Sequence, residues 1–281
     1  MNGIIWLASY PKSGNTWFRI FLANLLANSA TAVDINHRLE TANFAARQHF
    51  DRVTGWESSE LTMVQVAALR IPAQEIIAAE TPGAAHKTHD AFTDQITNRP
   101  AFSRKTSRCG LYFVRNPLDI VVSFSHHSSI GLDETIAFMN NPNAWSFGAR
   151  NRRQLPQLLR DWSGHVTSWV DAPGLPVLAL RYEDMLERPT ETFTQACRFA
   201  GWPDEPARIR RALDHSRFEA LQQLEKEKGF AEAPPNRVFF REGRSGIWRN
   251  HLSPSQVSAI VQRHSEVMCR FGYLNADGLP A

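Results

Sequence analysis

The clearest change of pattern along this 281-residue chain comes at its start, where the apolar run Ile4-Ile5-Trp6-Leu7-Ala8 breaks into the polar loop Ser9-Tyr10-Pro11-Lys12-Ser13-Gly14. Beyond the loop, Phe18, Phe21, Leu22, Leu25 and Leu26 recur at helical spacing, which predicts a helix over about residues 15 to 28 with one buried stripe. The same succession returns twice. Gly110-Leu111-Tyr112-Phe113-Val114 reads as a strand ending in Arg115-Asn116-Pro117, after which Leu118, Val121 and Val122 take up helical spacing. Asn116 suits the cap and Pro117 the first helical position. Val177-Leu178-Ala179-Leu180 is another strand, followed by Arg181-Tyr182-Glu183-Asp184 and a helix near Thr190 to Ala200 that Gly201 and Pro203 close.

Strands alternating with helices argue for an α/β fold, a parallel sheet covered on both faces with its ligands at the carboxyl ends of the strands. Other segments fill in around it. Residues 30 to 82 read as irregular helices over the sheet edge, including 63 to 69, and Asp161 to Trp169 as a packed core helix. Glu225-Lys226-Glu227-Lys228-Gly229 and Pro234-Pro235 mark a loop with little to pack. The last helix has a capping box, Ser253-Pro254-Ser255-Gln256, an apolar side of Val257, Ile260, Val261, Val267 and Met268, and Gly272 at its end.

Composition narrows the class. With 43% apolar residues the chain can bury a substantial core, and its length fits one domain over residues 1–281. No run approaches eighteen apolar residues, and the first strand leaves no room for a signal sequence, so no membrane span and a cytoplasmic location are expected. Cys109, Cys197 and Cys269 are scattered, which suggests neither a disulfide framework nor a thiolate metal site. A net charge of +3 without a basic tract gives nucleic-acid binding little support.

The first loop carries chemistry. Free backbone N–H groups at a helix start, the positive end of the helix dipole and the Lys12 charge together make an anion cradle. Lys12 precedes Gly14, whereas the nucleotide-triphosphatase loop places its Lys after the last Gly, so a triphosphate is not the expected anion. Tyr10-Pro11-Lys12-Ser13-Gly14-Asn15-Thr16-Trp17 resembles the cofactor signature of the soluble sulfotransferases, with Asn15 in place of a Thr.

The resemblance extends to three later segments in matching order, from about Gly3 to Phe271 overall. It implies a P-loop-like three-layer fold with a central parallel sheet flanked by helices, and transfer of a sulfuryl group from 3′-phosphoadenosine 5′-phosphosulfate (PAPS). The acceptor is a hydroxyl or amine, and adenosine 3′,5′-bisphosphate (PAP) is released. Residues 12 to 17, from Lys12 through Ser13, Gly14, Asn15 and Thr16 to Trp17, are then the loop that holds the 5′ end. The run from Tyr112 to Phe124 resembles the 3′-phosphate motif, with Arg115 and Ser123 at its binding positions; a guanidinium offers paired donors to such a group. Phe239 to Trp248 resembles the late glycine segment, in which Arg241 and Gly243 meet the phosphate. Glu242 stands where a Lys is usual, with Arg244 as a replacement cation. Trp17, Tyr182 and Phe218 match positions that pack around adenine.

His86-Lys87-Thr88-His89 resembles the segment whose last His takes the acceptor proton, which makes His89 the expected base, with Lys87 assisting at the sulfuryl oxygens and Lys12 at the departing oxygen. No metal is required by the family, and adjacent His126 and His127 point apart on a helix and cannot form a zinc pair. Two rivals remain open. A P-loop small-molecule kinase would share the loop but lacks Gly-Lys-Ser/Thr and a magnesium-binding Asp, and a non-catalytic nucleotide module would not need His89. The acceptor is expected to be a small molecule, lipid or natural product, its specificity set by residues 30 to 82 and 225 to 240, with Phe44, Phe50, Trp56, Phe92 and Trp145 as candidate pocket walls. Family members often dimerise through a segment after the last motif; Ser253-Pro254 and Ser258 do not fit it, so monomer and homodimer both stay open.

Overall fold

A computed structural model describes residues 3–36, 41–94, 99–147, 153–233 and 237–281. Pro234 and Pro235, read above as part of a loop, lie outside the described residues. The chain begins β1 (Ile4–Ser9), α1 (Asn15–Ala27), β2 (Thr41–Asn43), α2 (Arg47–Thr54), α3 (Met63–Glu80) and β3 (Ala85–Thr88), then two-residue strands β4 (Thr93–Asp94) and β5 (Arg99–Pro100). It continues with β6 (Ser107–Val114), α4 (Pro117–Ser128), α5 (Leu132–Met139), β7 (Trp145–Ser146), β8 (Gln157–Leu158), α6 (Trp162–Val170) and β9 (Val177–Arg181). Helices α7 (Tyr182–Glu187), α8 (Pro189–Ala200), α9 (Pro206–His215), α10 (Phe218–Lys228) and α11 (Pro254–Arg270) complete it.

Five strands form one sheet in the order β2-β3-β1-β6-β9. Every pairing in it is parallel, with Leu7 opposite Lys87 on one side and Leu111 on the other. Because side chains alternate along a strand, β1 feeds two cores at once. Ile5 and Leu7 join Phe18 and Phe21 of α1, Phe193 and Cys197 of α8 and Ile209 of α9. Ile4, Trp6 and Ala8 join Phe50 of α2, Val66 of α3, Ile120 of α4, Trp169 of α6 and Ile260 of α11. This is the three-layer, P-loop-like arrangement, and it puts every strand-to-helix turn at one edge of the sheet.

The helix predicted over 15 to 28 runs from Asn15 to Ala27, but Leu26 is not in its stripe and is 36% exposed. Residues 30 to 82 are more regular than their pattern suggested. They hold two well-formed helices and edge strand β2; α3 starts with a Thr62/Gln65 capping box, which a scan for apolar stripes overlooks. Phe44, Phe50 and Phe92, expected as pocket walls, are each about 1% exposed and belong to the core. Glu225 to Lys228, read above as part of a loop, form the last turn of α10, which Gly229 closes, and the chain beyond packs back on it: Phe230, Phe239 and Phe240 pack on one another, and Glu225 accepts from the backbone N–H of both Phe239 and Phe240.

Phe193 stacks among Trp17, Phe18 and Phe21 with no exposed surface. Phe193→Ala should therefore cost about 3–5 kcal/mol of stability, measured by urea unfolding, while Leu26→Ala should cost no more than about 0.5 kcal/mol.

Candidate active site

Three strand ends build the site. At the end of β1 the chain turns through Lys12 at φ 69° and Gly14 at φ 98°, both left-handed. Lys12 bears strain that Gly14 avoids, and a Cβ on Gly14 would also lie 2.8 Å from the Tyr182 ring. Asn15 holds the turn: its side-chain NH2 donates to Leu7 O at 2.9 Å and Ser9 Oγ at 3.3 Å. Asn15 thus points back at β1 instead of into the cradle. Among the described residues Ser13 Oγ is buried without a hydrogen-bond partner, as is Arg115 Nε, so donors stand unused at the loop. Unsatisfied buried donors beside a helix start fit an anionic ligand.

At the end of β6, Arg115 lies over the Tyr182 ring at 4.3 Å and donates to Lys12 O at 3.2 Å and Arg244 O at 3.1 Å. Lys12, Ser123 and Arg241 line one cleft of about 260 Å³ together with His126, His127, Val238 and Phe239. The structure thus brings together the 5′-end and 3′-phosphate candidates from three distant segments. The Lys12 ammonium sits 4.0 Å from the Phe239 ring centre. Burial first, then Arg115 and Lys87, lower its pKa to about 7.

The late segment is anchored through α4. Both carboxylate oxygens of Asp119 accept from the backbone, Oδ2 from Gly246 N–H at 2.7 Å and Oδ1 from Trp248 N–H at 3.1 Å. A Cβ on Gly243 would strike the Phe218 ring at 2.3 Å, so this glycine is what allows Phe218 in close. Trp17 donates to Ser216 O at 2.8 Å and meets Tyr182 edge to face at 6.2 Å. Glu242, the departure from the expected Lys, pairs with both Arg241 (3.2 Å) and Arg244 (2.8 Å). Arg244 is thereby engaged as the partner of Glu242 and is not a simple substitute for the missing Lys.

At the end of β3, His89 Nδ1 lies 2.8 Å from Ser9 O and 3.2 Å from Ser9 Oγ. A carbonyl only accepts, so Nδ1 carries the proton and Nε2 of the neutral ring keeps its lone pair. Burial, then Lys87, pushes the His89 pKa well below the ordinary value, against a smaller opposite effect of Ser9 O. The ring is held neutral.

Sequence reasoning missed its supports. His165, placed in the core helix, donates from Nε2 to His89 O at 3.0 Å and accepts the Tyr112 hydroxyl at Nδ1, 2.8 Å away. Gln157 Oε1 accepts from His89 N–H at 3.3 Å. Glu232 joins Arg19 at 2.8 Å and Lys87 at 3.5 Å; against the upward push of burial, Lys87 and Arg19 hold its pKa down at about 2. None of these has a motif signal, since each is defined only by where the chain folds back. Among the described residues no three His, Cys, Asp or Glu side chains are grouped to hold a metal ion. No helix of the described residues is long and apolar enough to cross a membrane.

Residues 3–272 match the family model described as the sulfotransferase domain. The chain belongs to the sulfotransferase family. Members of the family take their sulfuryl group from PAPS, and the chain is a PAPS-dependent transferase; the kinase reading is set aside. Human sulfotransferase 2B1 is 23% identical over 94% of this chain and 66% of its own length. Cytosolic sulfotransferase 14 of Arabidopsis thaliana is 25% identical over 90% and 72%. The fold is shared with a mouse sulfotransferase solved with PAP, at TM-score 0.62 and 19% identity over 98% of this chain and 85% of that one. It is shared too with retinol dehydratase solved with androsterone and PAP, at TM-score 0.63 and 18% identity over 94% and 80%.

An anion placed beside Lys12 restores its affinity for a proton. PAP should therefore bind with proton uptake above about pH 7, and its affinity should fall as pH rises further. Calorimetry in buffers of different ionisation enthalpy measures this, and Lys12→Met should remove it. In the ligand-free fold the sign is opposite: lowered Lys12 binds fewer protons than the unfolded chain, so stability should rise with pH from about 7 upward.

Proposed function

We propose that this chain, as one sulfotransferase domain over residues 1–281, moves the sulfuryl group of PAPS to a hydroxyl or amine of a small-molecule acceptor, with His89 as general base. The observation that carries the reading is the His89 ring, neutral and with Nδ1–H committed to Ser9, so that Nε2 is the atom left to take a proton. PAPS supplies the sulfuryl group and leaves as PAP; the acceptor oxygen or nitrogen bonds to sulfur as the bond from sulfur to the 5′-phosphate oxygen breaks, and the acceptor proton goes to His89 Nε2. Lys12 offsets the charge that grows on the departing oxygen, and Lys87 steadies the sulfuryl oxygens. Transfer of this kind depends on positioning and on charge placed in advance.

Ser13, Gly14, Thr16 and the start of α1 hold the 5′ end, while Arg115, Ser123, Arg241 and Gly243 receive the 3′-phosphate. Trp17, Tyr182 and Phe218 form the adenine slot, in support of which Tyr182 is stacked beneath Arg115 and Phe218 is seated on Gly243. Asn15 serves this site by bracing the loop. Apolar Val238 and Phe239 beside Lys12 favour a phenolic or alicyclic alcohol over a polar glycan. Relatives named for flavonol and 3-alpha-hydroxysteroid sulfation point the same way. A cytoplasmic location accords with the relative named as cytosolic.

Screening flavonols, simple phenols and hydroxysteroids for transfer from labelled PAPS tests the reading; no transfer to any of these classes would remove the acceptor assignment. With an acceptor in hand, His89→Ala should slow single-turnover transfer by about 10²–10⁴-fold and leave PAP affinity nearly intact. Lys12→Met should lower both. Arg115→Ala should cost roughly 2–3 kcal/mol of PAP affinity and much less for adenosine 5′-phosphate. Equal losses for the two nucleotides would place the 3′-phosphate elsewhere.

A further inference from the structure

A second cleft, enclosing about 510 Å³ of space partly open to solvent, lies between the start of α3 and β7 and β8. It shares no lining residue with the cleft at Lys12. Its walls are largely apolar, with Leu61, Met63, Val66 and Ala67 on one side and Trp145 and Leu158 among the others.

Two guanidinium groups reach this space, and they differ. Arg70 is matched inside the protein, bonding Asp90 Oδ2 at 3.0 Å and Pro156 O at 2.8 Å. Arg47 has no ion-pair partner among the described residues. One of its terminal nitrogens donates to Ser58 Oγ at 2.9 Å, and its Nε is buried with no hydrogen-bond partner. Asp51, which touches the same Ser58, accepts from the Ser58 backbone N–H and makes no ion pair with Arg47. A cation without a counter-charge among the described residues, at the edge of an apolar cleft, is a costly arrangement unless an anion arrives.

We propose that this cleft binds a small amphipathic anion, an aryl or alkyl carboxylate, sulfonate or sulfate ester, with its apolar body between α3 and Trp145 and its head on Arg47. The site is separate from the transfer centre but adjoins it. Asp90 on its wall follows His89 in the chain, and Gln157, which holds His89 N–H, lies between the wall residues Pro156 and Leu158. An occupant therefore lies against the chain neighbours of the base and of its Gln157 support, with His89 itself outside the cleft lining. The proposal stands on the cleft alone and does not depend on the assignment of His89.

The test is a fluorescence titration of the whole protein with 8-anilinonaphthalene-1-sulfonate in the presence of saturating PAP. One probe site should persist under PAP. Arg47→Met, which keeps the aliphatic stem, should weaken the probe about tenfold, and Arg47→Lys should restore most of the loss. Ala67→Trp should fill the cleft and abolish probe binding. PAP affinity, unchanged in each variant, certifies that the fold is intact; should Ala67→Trp fail that check, Arg47→Met decides. Displacement of the probe by PAP, or equal probe affinity in Arg47→Met and the parent, would overturn the proposal.

Discussion

Positive charges crowded at one end of a sheet, with little water to separate them, are the constraint around which this protein is organised. Arg115, Lys87 and Arg241 all act on Lys12 there, and burial together with these neighbours brings Lys12 down to about 7. Glu232 tempers the crowd from the side of Arg19 and Lys87. The strained Lys12 backbone is supported by the same groups: Arg115 holds its carbonyl, and Asn15 fixes the turn to β1. Charge and strain thus rest on shared struts. A ligand carrying several negative charges relieves the first without disturbing the second, and this is the physical sense in which the cradle is prepared in advance.

The base is prepared by different means. Its orientation is set by a carbonyl that only accepts at Nδ1, a glutamine oxygen at its N–H, and the buried His165 imidazole donating to its carbonyl. Tyr112, from the central strand β6, fixes His165 in turn. The line from Tyr112 through His165 to His89 joins the interior of the sheet to the reacting edge, so a defect in packing near α6 is felt at the base although no residue of α6 faces the cleft.

How much of this could be read from the chain depended on whether a residue's role is local. Strand-to-helix turns are local, and the loop at Lys12, the turn at Arg115-Asn116-Pro117 and the His89 segment were legible because the apolar pattern and the motif coincide there. Asn15 was legible as a member of the loop but not in its direction, since a side chain's orientation depends on Leu7 O behind it. His165 was hidden among core aromatics, and Glu232 within a loop with no pattern, because their partners lie 76 and 145 residues away. Phe44, Phe50 and Phe92 show the opposite error: aromatic residues in a polar-looking stretch were taken as pocket walls, and α2, α3 and the neighbouring loops bury them in the core instead.

Strand β1 is buried along its whole length and has no neighbour in the sheet from its own surroundings; its partners are β3 and β6, which end at Thr88 and Val114. During synthesis the apolar stretch from Ile4 to Ala8 therefore emerges long before either flank exists to cover it. Such non-local parallel pairing is slow to form and leaves a sticky segment open to other chains meanwhile. The chain is thus most vulnerable to aggregation in its first hundred or so residues, and the strand that later leads into the cofactor loop is the same one a chaperone would have to shield.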